Sequence, residues 1–211
     1  MNIENLNKNW LELGQKYCKD FSLLNAIGRK IKKRYSERNR HYHNLNHIEF
    51  MLNLAKENRA AIKDFDALLF AIWFHDIIYK SRSKRNEKKS AKYAVKRLKN
   101  FNLKELKRNK IYKLILSTKK HKILVKTDLD NAFLLDFDLA IFGQDWNVYE
   151  AYTQKIRKEY KMFPNFLYRP ARKKVLQGFL DRETLYFTEK YKNLFEKQAR
   201  ENLQRELNLY N

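Results

Sequence analysis

FDALLFAIWFHDIIY, residues 65–79, decides how this chain folds. After Asp66 the stretch is apolar on nearly every side, the pattern of a helix buried all round, and we expect a central core helix over 65–79. Its longest apolar run, Ala67 to Phe74, is far too short to span a bilayer. His75 and Asp76 interrupt the run. A buried carboxylate costs several kcal/mol unless it is paired or coordinates a cation, and the turn before it, Ala71 to Phe74, carries no basic residue. The ordinary reading is a satisfied core histidine beside a capping carboxylate. An adjacent His-Asp pair in so apolar a helix points instead to a metal.

Outward from this segment the periodicity stays helical. Leu6, Trp10, Leu11 and Leu13, then Leu23, Leu24 and Ile27, predict one or two amphipathic helices over 3–35. Asn46, with Glu49 three residues on, approximates a capping box and puts His47 in the first turn of a helix. A basic loop follows over 80–90, then helices over 87–99 and 105–118. NAFLLDFDLAIFG, residues 131–143, is another apolar helix that Gly143 can stop. Helices are expected over 145–160, 172–188 and 189–209, with Pro164 and Pro170 in the connection between the first two. No segment alternates with period two. With four glycines and two prolines, the expectation is an all-α fold, a compact single-domain helical bundle over 1–211.

Hydrophobic residues make up 44% of 211, enough for a sizeable core. No linker, repeat or low-complexity tract marks a second domain. The first ten residues lack the apolar stretch of a secretory signal, and the single cysteine, Cys18, excludes a disulfide framework and a multi-cysteine zinc site. A cytoplasmic protein with no membrane partner is expected. The net charge of +22 suits a polyanionic partner or a phosphorylated substrate. It also suits a genome rich in AT codons, since Lys, Asn, Ile, Tyr and Phe abound and the charge is spread along the whole length.

Three of the five histidines, His41, His43 and His47, fall within seven residues. His43 and His47 are four apart, as in H-E-x-x-H, but Asn44 stands where the general-base glutamate belongs. No G-x-S-x-G is present, Cys18 sits in an ordinary amphipathic segment, and glycine is too scarce for a phosphate-cradling loop. Asp136 and Asp138 repeat the acidic anomaly in LLDFDLAIF. Asp138 shares a face with Leu134, Leu135 and Ile141 and should point inward, with Asp136 about 200° away round the helix. One carboxylate then faces a site, and the other holds a histidine or caps a turn. What survives elimination is His47, then His75-Asp76, then Asp138, four nitrogen and oxygen ligands from three helices.

That order, H…HD…D, resembles the HD superfamily of metal-dependent phosphohydrolases. Wider matches strengthen the resemblance. Arg40, Tyr42, His43, Asn44, His47 and Ile48 read as R-x-Y-H-N-x-x-H-I, followed by WFHDIIY, by Asn86, Glu87, Ser90 and Ala91 as NE-x-x-SA, and by D-x-DLAI-x-G. IRKEY, the YR-x-x-R-x-x-VL-x-x-FL-x-R run from Tyr168 to Arg182 and AR-x-NL from Ala199 to Leu203 complete it. Over nearly the whole chain these are similar to a small bacterial group of HD-superfamily phosphohydrolases. The resemblance implies His47, His75, Asp76 and Asp138 as metal ligands, and leaves the substrate open.

The implied chemistry is hydrolysis of a phosphoester or phosphoanhydride of a nucleotide or similar small phosphorylated molecule by a metal-activated water. Asp76 would ligate the metal and orient that water, with His43 near the open side against phosphate or water. Two nitrogen ligands favour Mn²⁺, Fe²⁺, Co²⁺, Ni²⁺ or Zn²⁺ over Mg²⁺. One ion per chain is expected, because His121 is the only histidine between the HD pair and Asp138 and sits among lysines. Arg40, Glu87, His121, Arg169 and Arg172 are the candidate substrate contacts. For the arginines, surface charge or an ion pair with Glu37 or Glu159 is the plainer reading. The alternative function is nucleic-acid binding or RNA processing on the basic surface.

Overall fold

A computed structural model describes residues 3–210. The fold is all-α: ten helices and two short 3₁₀ turns, with no strand among the described residues. Its contacts group into two compact units, one ending at Leu134 and the other starting at Leu135, a boundary that falls within one helix.

The first unit holds α1 (Ile3–Gln15), α2 (Phe21–Tyr35), α3 (Leu45–Glu57), α4 (Phe65–Phe74), α5 (Asn86–Leu98), α6 (Glu105–Ser117) and the start of α7 (Asp130–Leu139). Seven of the ten residues of α4 are buried, and α3, α5 and α6 pack on it. Trp10 of α1 meets Phe70, Trp73 and Phe74 edge-on at 5.9–6.2 Å between ring centroids, and its indole N–H donates to the Leu24 carbonyl at 3.0 Å. Gly28 lets α2 approach that ring, since a Cβ there would stand 2.9 Å from it. The start of α4 is tied down by charge. Asp64 caps it through the Ala67 amide, and the buried Asp130 carboxylate accepts from the amides of Lys63 and Asp64 at 2.7 and 2.9 Å. Lys110 bridges Asp128 and Asp130.

The expected helix over 65–79 stops at Phe74. The backbone of the next residues finds partners outside a helical ladder. Asp76 and Ile77 give their carbonyls to the Arg40 guanidinium. Ile78 exchanges both backbone bonds with the Ser90 hydroxyl, and Lys80 does the same with the Asn86 amide. The basic loop therefore shortens, because Asn86 opens α5. At α3 the cap is Asn44, whose side chain accepts from the Asn46 amide at 2.9 Å, and not Asn46 as the capping-box reading had it.

The second unit holds the rest of α7, a 3₁₀ turn (Ala140–Gly143), α8 (Trp146–Glu159), α9 (Asn165–Leu180) and α10 (Glu189–Asn208). The α10 helix packs on the turn and on α9. Gly143 ends the helical stretch, and any Cβ there would overlap Phe195, so glycine is what lets α10 come this close. Asn202 donates to the carbonyls of Phe142 and Gln144 from the same helix. Pro170, expected in the connection, lies inside α9, whose entry Pro164 marks instead. The same helix ends at Leu180 and not at 188, because segment 185–188 takes its hydrogen bonds from Glu196 and Asp136.

Candidate metal centre

His47 is the third residue of α3, and the α3–α4 pairing carries it to the end of α4. His47 and His75 are both buried, at 3% and 1% exposure. Their Nε2 atoms lie 3.3 Å apart, and the Asp76 Oδ2 is 3.3 Å from the His75 Nε2. One donor atom from each of these three residues lies within 4.8 Å of the other two, a grouping that could hold a metal ion. Three of the four expected ligands thus come together in the first unit. The fourth, Asp138, is carried half-buried by α7 in the second unit.

The protonation of His75 follows from its far nitrogen. His75 Nδ1 is 2.9 Å from the Ile72 carbonyl, which can only accept, so Nδ1 carries the proton. In the neutral ring the lone pair then sits on Nε2, aimed at the His47 ring and at a carboxylate oxygen. A neutral ring with its lone pair on Nε2 can share a cation with the Asp76 carboxylate oxygen 3.3 Å away. Anchoring the outer imidazole N–H on a backbone carbonyl is also how proteins orient a metal-bound histidine.

Around this group the surroundings are built to hold it still. The Arg40 side chain is wholly buried, and its guanidinium donates to the carbonyls of His43, Asp76 and Ile77 at 3.1, 2.7 and 3.1 Å. It stacks between the Tyr35 and Tyr79 rings at 5.0 and 5.5 Å. This corrects its expected role in binding phosphate: its two terminal nitrogens are committed to three backbone carbonyls, and its Nε lies 3.6 Å from the Glu37 carboxylate, the ion pair that the plainer reading named. Tyr35 adds a second tie, with its hydroxyl between the Asp76 amide and the Trp73 carbonyl. Asn86 and Ser90 hold the far side of the same loop. They stood in the sequence pattern without an assigned role, and only the fold shows what they bind.

His43 is 21% exposed in its side chain, more open than the two buried histidines. Its Nε2 is 3.9 Å from the Asp76 Oδ2, and its ring stacks on Tyr79 at 4.3 Å. Glu87 lies in the first turn of α5, half-buried, with Oε2 buried and without a hydrogen-bond partner. His121 occupies the α6–α7 loop in the left-handed region at φ 45°, half-buried, and is not one of the three clustered residues. Arg169 is exposed on α9.

Arg172 is another correction. It is buried and forms a bidentate pair with Glu206, 2.8 Å to each oxygen, while the Tyr149 hydroxyl donates to the same carboxylate. A guanidinium committed in this way is structural. The D-x-D pair divides into a buried and a half-buried carboxylate. Asp136, not Asp138, is the fully buried one, and it accepts from the Phe187 and Thr188 amides at 2.7 and 2.9 Å and from the Thr188 hydroxyl at 2.6 Å. Burial pushes its carboxyl up to about 6 against the pull of those donors. The turn-capping role foreseen for one of the pair belongs to Asp136. Residues 130–140 are buried at every position but Asp138, so position round the helix does not by itself set which carboxylate goes deeper.

No family model, curated protein or solved structure matches this chain.

Proposed function

We propose that this protein is a metal-dependent phosphohydrolase of the HD superfamily, acting on a nucleotide or a similar small phosphorylated molecule. One observation carries the reading: the imidazole nitrogens of His47 and His75 and the Asp76 carboxylate converge in a buried setting, with the His75 proton held on the far side by the Ile72 carbonyl. Two nitrogens and a carboxylate suit a borderline divalent ion, Mn²⁺, Fe²⁺, Co²⁺, Ni²⁺ or Zn²⁺, better than Mg²⁺. Asp138 belongs to the same ligand set in the sequence pattern, and Asp138→Ala tests that membership.

A bound divalent cation supplies Lewis-acid polarisation of a phosphoryl oxygen and lowers the pKa of water. The chain's own residues do the rest. Asp76 offers a carboxylate oxygen to orient a water, and Arg40 fixes where that oxygen stands by gripping the Asp76 carbonyl. His43 holds or passes a proton next to Asp76, its ring kept in place by Tyr79. Arg40 and Arg172 are consumed inside the protein, whereas Arg169 is exposed on α9.

Metal analysis of the purified protein, followed by assay on a panel of nucleotides and sugar phosphates, tests the reading. The expected result is about one transition metal per chain and phosphate release that Asp76→Ala abolishes together with the metal. Full metal occupancy in Asp76→Ala would sink the ligand assignment.

A further inference from the structure

The last two turns of α5 and the adjoining face of α6 form an open groove in the first unit. Lys92, Lys96, Arg97, Lys99, Asn100 and Tyr112 line it together with the apolar Leu23 of α2 and Val95, and no carboxylate does among the described residues. The four cations and Asn100 are exposed, while Tyr112 of α6 is half-buried in the wall with one side turned to the groove. Arg97 rests over the Tyr93 ring at 5.0 Å, which holds its guanidinium at the rim. None of these residues belongs to the candidate metal centre.

We propose that this groove binds single-stranded nucleic acid, with the lysines and Arg97 along the phosphates and Tyr112 as a stacking surface for a base. The chemistry is that of a sequence-tolerant single-strand site, a cationic track with an aromatic platform and a side-chain amide. A small mononucleotide would need a few cations converging on one point. Here the cations run from position 92 to 99, along the last turns of α5 and just past its end. The proposal does not depend on the metal-centre reading, and binding survives Asp76→Ala if both are sound.

The test is fluorescence anisotropy with a labelled oligouridylate about 12 nucleotides long, within the range of single-strand site sizes. Two triple variants remove the same charge, Lys92→Gln/Lys96→Gln/Lys99→Gln in the groove and Lys155→Gln/Lys158→Gln/Lys174→Gln in the second unit. Both act on exposed side chains, and circular dichroism confirms the fold. The groove triple should weaken binding by about tenfold or more near 50 mM salt and make the salt slope shallower by about 2, the share of three lost phosphate contacts on a single strand. The second-unit triple should change affinity by less than about threefold. Tyr112→Ala should cost about fivefold or more with the salt slope unchanged, the mark of lost stacking. Equal losses in the two triples would show that only the overall field attracts the strand, and would overturn the groove. An unchanged Tyr112→Ala would overturn the stacking site. No measurable binding by the wild-type chain at that salt would overturn the whole inference.

Discussion

Two carboxylates stand in strongly apolar helical sequence, Asp76 after α4 and Asp136 within α7, and the fold uses them oppositely. Asp136 is met by three protein donors on both of its oxygens, and by holding Thr188 it positions the residue that caps α10. The Asp76 Oδ2 faces two imidazoles, 3.3 Å from the His75 Nε2 and 3.9 Å from the His43 Nε2. One is closed by protein hydrogen bonds. The other is arranged as the donor atom of a cluster. The lesson is that an acid in a core helix announces a polar partner, and only its neighbours reveal whether that partner is backbone or cation.

The sharpest way to break this comparison is to truncate both acids. Asp136→Ala leaves two amides and a hydroxyl buried without their acceptor and should destabilise the protein by about 3–5 kcal/mol, read from denaturant unfolding followed by circular dichroism. Asp76→Ala should cost the metal-free protein clearly less than Asp136→Ala, since the Asp76 side chain is 14% exposed while Asp136 is fully buried. What it should abolish is stabilisation by added metal, worth about 2.7 kcal/mol in the parent at a hundredfold excess over Kd. If Asp76→Ala unfolds the metal-free chain as severely as Asp136→Ala, both carboxylates are structural and the contrast fails.

A smaller effect tests the support of the Asp76 loop. Ser90 serves both backbone groups of Ile78, so Ser90→Ala should cost about 1–2 kcal/mol and lower metal affinity without removing any ligand. Unchanged affinity in a measurably destabilised Ser90→Ala protein would detach the loop from the site.

Smaller still is an acid-side effect far from the cluster. Asp128 is partly buried, which opposes its charge, but Lys110 and the Asp130 amide outweigh that and hold its carboxyl below the usual range. A lowered carboxyl in the folded state means stability that is complete above the ordinary carboxylate range and is lost as pH falls through the folded value. Lys110→Met should therefore flatten the decline in melting temperature below about pH 4. A decline as steep as in the wild type would show that Lys110 does not set that carboxyl. Last, His121→Ala should leave metal content unchanged. A fall from two equivalents to one would make the centre dinuclear.

Much of this protein was legible from residue order. Helical periodicity and scarce glycine and proline predict the all-α fold. The apolar run over 65–79 marks the helix that becomes the centre of the first unit, and His47, His75 and Asp76 stand out because polar groups at apolar positions carry a cost that needs an explanation. Local pattern, however, says nothing of which polar group will meet which. Arg40 and Arg172 look like any cation that might meet a phosphate, yet one grips three carbonyls and the other is locked to Glu206, 34 residues away. The early end of α4, the partners of Asp136 at Phe187 and Thr188, and the tasks of Asn86 and Ser90 likewise depend on groups that are not neighbours in the helical pattern. Periodicity is a property of neighbours three and four apart, so sequence reports it. Hydrogen-bond satisfaction in a core is settled among groups that only the folded chain brings together, and there the tertiary structure decided.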